Sequence, residues 1–232
     1  MQTSFTCQEY GDSAVLINIE NDYYEVRWLT VQLLGDAMRE KTSLGIIDVV
    51  ASFQSVFISF DALVINHSQV FEIVKDELQS DVAPRVPNHF KIPIVYGDVF
   101  GPHINQVAEI CGISVDDVIE IHSGQDWAIR FVGSPIGAPF LDGPKFPVSV
   151  PRLKTPVTRM EPGSVAVSGL QSIIYNAPSP GGWQVVGRTP VKLFDLETNP
   201  NVPYRAGDRI RFIPISPSDW DSWNKYFHQV KL

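Results

Sequence analysis

Cysteine is nearly missing from this chain: Cys7 and Cys111 are its two thiols. Neither a disulfide framework nor a four-cysteine zinc site can be assembled from them, and a reducing compartment is expected. No Cys-x-x-Cys occurs, and His67, His89, His103, His122 and His228 never fall four residues apart, so a local metal motif is missing. No Gly-Lys pair exists, which excludes the phosphate loop that ends in Gly-Lys-Ser/Thr. No uncharged run of about 18 apolar residues and no apolar secretion-signal core are present, so a soluble, cytoplasmic protein without membrane contact is expected. Basic charge is also scarce. With 18 Lys+Arg against 26 Asp+Glu the formal charge is −8, a poor basis for neutralising nucleic-acid phosphates.

What the chain does have is 232 residues with 44% hydrophobic content, enough for a buried core in one large or two small domains. Residues 14–19 alternate like a strand, and Tyr23, Val26, Thr30, Leu33, Leu34, Ala37 and Met38 mark one face of a helix capped by Asn21 or Asp22. Short strands are expected at 46–51 and 55–60, then a helix with Val70, Phe71, Val74 and Leu78 at helical spacing and Ser68 as cap, then a strand at 90–96. Strand, helix, strand, strand, helix, strand is the split pattern of ferredoxin-like domains.

Residues 104–111 and 114–122 read as two helices about a Gly112 turn, with Ser114 capping the second. The pair imitates a DNA-binding helix-turn-helix. Between Ile104 and Ile121, however, there is no Lys or Arg, while Glu109, Asp116, Asp117 and Glu120 would face phosphate, so a structural helix pair is expected. From Trp127 onward, short apolar runs at 127–132, 164–167, 172–175, 184–187, 191–194 and 209–215 alternate with Gly/Pro-rich turns, as in a β-barrel or sandwich. The tail at 216–232 carries Trp220, Trp223, Tyr226 and Phe227, aromatic surface for docking on a barrel or on a partner subunit.

Chemistry concentrates in two Gly/Pro-dense segments. The first, 131–141, contains Gly137 and Pro139; its Gly133-Ser134-Pro135-Ile136-Gly137 places the serine one position too early for a nucleophile elbow and reads as turn chemistry. The second, 179–190, combines Gly181 and Gly182, whose backbone can approach a ligand, with Trp183 as a flat apolar wall and Arg188 as a two-pronged donor for carboxylate or phosphate. The same residues would also make a tight hairpin with Trp183 in the barrel core and Arg188 paired to an acid. Residues 150–215 hold eight basic side chains against four acids, a +4 segment in a chain otherwise −12, which suits a small anion as well as scattered surface arginines.

The second segment, together with Pro151-Arg152-Leu153-Lys154-Thr155-Pro156-Val157-Thr158-Arg159, Gly163-Ser164-Val165-Ala166-Val167-Ser168-Gly169-Leu170-Gln171 and Arg205-Ala206-Gly207-Asp208-Arg209-Ile210-Arg211-Phe212, resembles the KipI family, whose members are also called the 5-oxoprolinase B subunit or allophanate hydrolase subunit 1. The likeness extends to Tyr10-Gly11-Asp12-Ser13-Ala14, Ile47-Asp48-Val49-Val50 and Ile92-Pro93-Ile94-Val95-Tyr96-Gly97. It implies an α+β chain: a small ferredoxin-like α/β N-terminal subdomain at 1–86, a cyclophilin-like β-barrel at 87–215 and an aromatic tail at 216–232. It also implies a KipA-like subunit (the 5-oxoprolinase C subunit) and a LamB/YcsF-like subunit as partners.

The implied activity is a hydrolase subunit, inactive alone, of the ATP-dependent opening of 5-oxoproline to glutamate. ATP would phosphorylate the amide oxygen and water would attack; the nucleotide, with any magnesium it carries, would be bound largely by a partner. Arg188 and Arg159 would hold the substrate carboxylate or developing phosphate charge, Gln171 would orient a carbonyl, and Gly181, Gly182, Trp183, Gly137 and Pro139 would line the substrate. Two other family roles stand beside it: inhibition of a histidine kinase through Trp220, Trp223 and Phe227, and carboxyl transfer as in urea carboxylase. Where the family usually reads Gly-Phe-x-Pro-Gly-Phe-Pro-Tyr-Leu, this chain has Ser134 and Ala138 for two phenylalanines, Ile136 for proline and Phe140 for tyrosine, so a wider pocket or a differently packed loop is expected.

Overall fold

The computed structural model describes residues 4–80, 84–133 and 136–229. The chain divides at Val86/Pro87 into two compact units.

In the first unit, β1 (Ser4–Glu9), β2 (Ala14–Glu20), β3 (Ile46–Ala51) and β4 (Ser55–Phe60) form an antiparallel sheet in the order β1-β2-β4-β3, with α1 (Tyr24–Arg39) and α2 (His67–Gln79) in the connections. Alternation decides the faces: Val15, Ile17 and Ile19 of β2 and Val56, Ile58 and Phe60 of β4 point into one core with Val31, Leu34 and Met38 of α1 and Val70 and Val74 of α2. The three-stranded order β2-β4-β3 is what the split pattern predicts. Its outer place, expected for residues 90–96, is filled instead by β1, while 90–96 belongs to the second unit.

The helix faces also shift from expectation. Tyr23 and Val26 are exposed, and the stripe that α1 buries runs through Trp28, Val31, Leu34, Gly35 and Met38, because those residues are the ones in i, i+3, i+7 register toward the sheet. At Gly35 a Cβ would lie 2.8 Å from Ala51 Cβ, so the bare backbone lets the helix sit close on β3. Asn21 accepts from Tyr23 N–H (2.9 Å) ahead of the helix, whose N-cap is Tyr23. The α2 cap is Asn66, not Ser68: Asn66 accepts from Gln69 N–H (3.0 Å) and the Gln69 side chain accepts from Asn66 N–H (3.0 Å), a reciprocal capping box.

The second unit opens with β5 (His89–Tyr96), then α3 (Ile104–Cys111) and α4 (Val115–Ser123), and continues through β6 (Trp127–Gly133), β7 (Ala138–Asp142), β8 (Val157–Met160), β9 (Ser164–Ser168), β10 (Gln171–Ile174), β11 (Ser179–Gly181), β12 (Gln184–Arg188) and β13 (Arg209–Pro214). Seven strands close a barrel in the order β10-β7-β6-β13-β5-β12-β9, with β9 pairing back to β10; β8 and β11 form a separate ribbon. The pairing of β13 with β5 is parallel. The two-helix segment is structural as expected: Ile104, Val107, Cys111 and Val118 enter the barrel core, and Ser114 and Asp117 make the capping box that starts α4. Residues 191–194, expected as a strand, lie outside the barrel, with a single parallel bridge from Lys192 to Tyr226. Gly143 marks a close approach, since a Cβ there would meet the Trp127 indole at 2.6 Å.

Burial sets a stability contrast. Ile58 is 0% exposed and Ile47 is 66% exposed. Ile58→Ala should destabilise the first unit by about 2–5 kcal/mol, whereas Ile47→Ala should stay within about 0.5 kcal/mol, as read by chemical denaturation.

Candidate functional site

The end of β12 and the turn after it build the wall of a cavity of about 490 Å³. Arg188 is half-buried there; its Nε donates to Pro162 O (2.8 Å) and its guanidinium carbon lies 5.5 Å from the Trp220 ring centroid. Lys192 is four residues on, its ammonium 5.1 Å from the Tyr226 ring. Trp220 in turn packs on Phe100 at 4.9 Å between centroids. Gly163 holds the rim: it has φ +83°, Thr189 N–H donates to its carbonyl (2.9 Å), and a Cβ would overlap the Thr189 carbonyl oxygen. The lining carries two cations and no carboxylate among the described residues.

Gly137 is tied to this cavity indirectly. With φ +65° it turns its carbonyl to accept from Tyr204 Oη (2.9 Å) and Asn176 Nδ2 (3.0 Å), and Asn176 lines the cavity. The remaining expected site residues lie elsewhere. Trp183 is half-buried in a cluster with Ala138, Met160, Tyr175 and Val185 and meets Phe140 edge-on at 5.8 Å. Gly181 and Gly182 flank it for packing reasons: a Cβ at Gly181 would press on Tyr175 Oη and Met160, and one at Gly182 would lie 3.2 Å from Arg152 Nη2. Pro139 is buried in β7 opposite Val132. Arg159 forms an exposed ion pair with Glu161 (3.1 Å), and Gln171 Nε2 donates to Asp142 (2.8 Å), which also holds Arg130 Nε (3.2 Å). In the altered loop, Ser134 and Pro135 fall outside the described residues, Ala138 is fully buried, and Phe140 stacks on Phe131 at 4.2 Å.

Sequence reasoning missed Lys192, which no motif marks, and Phe100. It had Trp220 and Tyr226 as docking aromatics without a destination; the structure puts both on the cavity. Trp223 and Phe227 are half-buried, and Phe227 packs on Phe90 at 5.3 Å.

A second polar group sits inside the barrel. His122 is fully buried: Tyr96 Oη donates to its Nδ1 (2.7 Å), its Nε2–H donates to Ser172 Oγ (3.2 Å), and Ser172 Oγ donates to Ala166 O (3.2 Å). Phe212 stacks on the imidazole at 4.5 Å, and the Trp127 indole donates to the His122 carbonyl (2.8 Å). Each link needs the neutral ring with its proton on Nε2, and burial accordingly pushes the imidazole pKa down to about 3. The cation-lined cavity does not reach the group, whose role is to hold β5, α4 and β10 together. Tyr96 and Tyr204 are likewise pushed up by burial and remain protonated hydroxyls. Among the described residues no cluster of three His, Cys, Asp or Glu is placed to hold a metal ion, and no helix is long and apolar enough to cross a membrane.

A small four-stranded α/β unit and a closed seven-stranded barrel make up a carboxyltransferase-like architecture. The chain belongs to the family described as carboxyltransferase domain, subdomain C and D, whose pattern matches residues 5–204. It is 31% identical to the 5-oxoprolinase B subunit of Bacillus subtilis, over 97% of this chain and 99% of that protein. It is 25% identical to the urea amidolyase of Saccharomyces cerevisiae over 92% of this chain, which spans 13% of that protein. Among solved structures, TTHA0988 superposes with a TM-score of 0.77 at 24% identity over 88% of this chain, which spans 40% of that longer chain; the likeness is one of fold.

The buried imidazole has a consequence for pH. An unfolded chain protonates His122 near its ordinary value of 6.5, whereas the folded chain holds it neutral down to about pH 3. As pH falls through that window the unfolded state gains a proton that the folded state does not, so stability should drop by about 1.4 kcal/mol per pH unit below 6.5 from this group. Urea denaturation at pH 7.5 and 5.0 should show the loss, and His122→Gln, whose amide can accept from Tyr96 and donate to Ser172, should flatten it.

Proposed function

We propose that this chain is the B-type subunit of a 5-oxoprolinase: 5-oxoproline, ATP and water give glutamate, ADP and phosphate at a site completed by a KipA-like subunit, with a LamB/YcsF-like subunit in the same assembly. The observation that carries this reading is the half-buried guanidinium of Arg188 opening onto a cavity with no carboxylate among its described lining residues, in a chain similar along nearly its whole length to a protein named as the B subunit of 5-oxoprolinase. Arg188 binds the substrate carboxylate through its terminal nitrogens, its Nε already spent on Pro162 O, and Trp220 and Phe100 keep water from one side. The chain has no Gly-Lys pair, so it offers a triphosphate no phosphate loop of that kind. Nucleotide binding and activation of the amide are therefore assigned to the partner subunits, and this chain binds, orients and encloses.

Arg159 and Gln171 take supporting roles in this reading, through the surface pair with Glu161 and the Arg130–Asp142–Gln171 chain. Trp183 with Gly181 and Gly182 shapes the turn that leads from β11, paired with β8, into β12 of the barrel. Ala138 and Phe140 alter the packing beneath that turn, which is where a change of substrate within the family would register.

The purified chain should show no ATP-dependent 5-oxoprolinase activity, and addition of its KipA-like and LamB-like partners should restore it in an ADP-release assay; full turnover by the chain alone would refute the shared site. In the assembled complex Arg188→Ala should lower kcat/KM by roughly 30- to 1,000-fold, equivalent to about 2–4 kcal/mol. An unchanged value would return Arg188 to a purely structural role.

A further inference from the structure

The two cations of the cavity are each covered by an aromatic ring from the same place, the C-terminal strap at 216–229, which lies beyond the residues 5–204 that match the family. Trp220 faces Arg188 and Tyr226 faces Lys192. The strap is docked rather than loose. Lys192 N–H donates to Lys225 O (2.9 Å), Phe227 N–H donates to Lys192 O (3.0 Å), the Phe227 ring sits on Phe90, and Ser216 with Asp219 caps the turn that presents Trp220.

The Trp220 centroid lies 5.5 Å from the Arg188 guanidinium carbon, within reach of a cation–π attraction that uses none of the guanidinium N–H groups. For Arg188 the Nε bond to Pro162 fixes the plane further, and its terminal nitrogens have no protein partner among the described residues. Lys192 Nζ likewise has no carboxylate partner among the described residues. A half-buried guanidinium and an exposed ammonium, with no carboxylate beside them among the described lining residues and next to the apolar walls of Phe100, Leu193 and Phe194, are matched by an anion with an apolar body.

We propose that the strap is the specificity element of this cavity: Trp220 and Tyr226 position Arg188 and Lys192 as a two-cation subsite for the carboxylate of a small ring compound. The proposal deepens the 5-oxoprolinase reading and rests on it for the ligand, but not for the subsite. Trp220 and Tyr226 act here as positioning residues, and Lys192 becomes a second binding residue beside Arg188.

The test is calorimetric titration of the full chain with 5-oxoproline and with its uncharged methyl ester. The wild type should bind the acid at least about tenfold more tightly than the ester, the separation expected when one charge-pairing contact of ordinary strength is lost. Trp220→Ala and Tyr226→Ala should each erase most of that preference, while Trp220→Phe and Tyr226→Phe, which keep a ring over the cation, should retain it. Lys192→Met guards against a strap variant that fails to fold: it leaves both aromatics in place and should also lose the preference, at an unchanged melting temperature. Equal binding of acid and ester by the wild type, no binding of either, or an undiminished preference in folded strap variants would overturn the subsite. A reconstituted complex that leaves 5-oxoproline intact while the acid preference and its loss in the variants persist would sink the proposed reaction and keep the subsite. Turnover with no effect of the strap variants would do the reverse.

Discussion

The second unit depends on one pairing, the parallel alignment of β13 with β5, in which Arg209 to Pro214 lie opposite His89 to Ile94. It joins a late strand of the unit to its first and so closes the barrel. Because the pairing is parallel, β13 leaves the sheet at the end where β5 runs into Tyr96, Gly97 and Phe100. Ile215 N–H still donates to Ile94 O (2.9 Å), and on the other side of β5 Val95 lies opposite Arg188. An antiparallel partner would have sent the strap to the opposite end, away from Phe100 and Arg188.

The cavity is therefore a product of barrel closure. Its cationic wall comes from the run out of β12, its rim from the Gly163 turn, and its outer wall from a strap that β13 delivers. The fully buried His122 supports the same geometry from inside. Its ring hydrogen-bonds to β5 through Tyr96 and to β10 through Ser172, and stacks on Phe212 of β13. A neutral imidazole with both nitrogens satisfied costs little in an apolar core, whereas a charged one would be expelled. Registry, rather than chemistry, is what that histidine supplies.

Much of the element pattern was legible because it is local. Alternation located β2, short apolar runs between Gly/Pro-rich turns located β9 and β12, and Ser114 announced the start of α4 as its cap. Local signals failed where distant partners decide the outcome. The burial stripe of α1 follows the sheet it packs on, not the apolar residues nearest its start, and Phe90–Tyr96 completes a barrel instead of the first sheet because a parallel partner waits more than a hundred residues later. At the cavity, Arg188 stands out in the sequence by type and context as a candidate. Lys192 does not, because its pairing with the strap is a bridge to Tyr226 that no spacing encodes.

The sequence by itself determined the two-part α+β organisation, the family and the arginine-bearing Gly/Pro-rich segment, since each resides in short-range periodicity or in runs of adjacent residues. Tertiary structure alone decided which of those residues share a cavity. It separated Trp183 from Arg188, replaced that indole with Trp220, and left two cations on a cavity whose described lining residues include no acid. The reason is that strand order and barrel closure set distances between residues far apart in sequence, while side-chain identity states only what each could do once brought there.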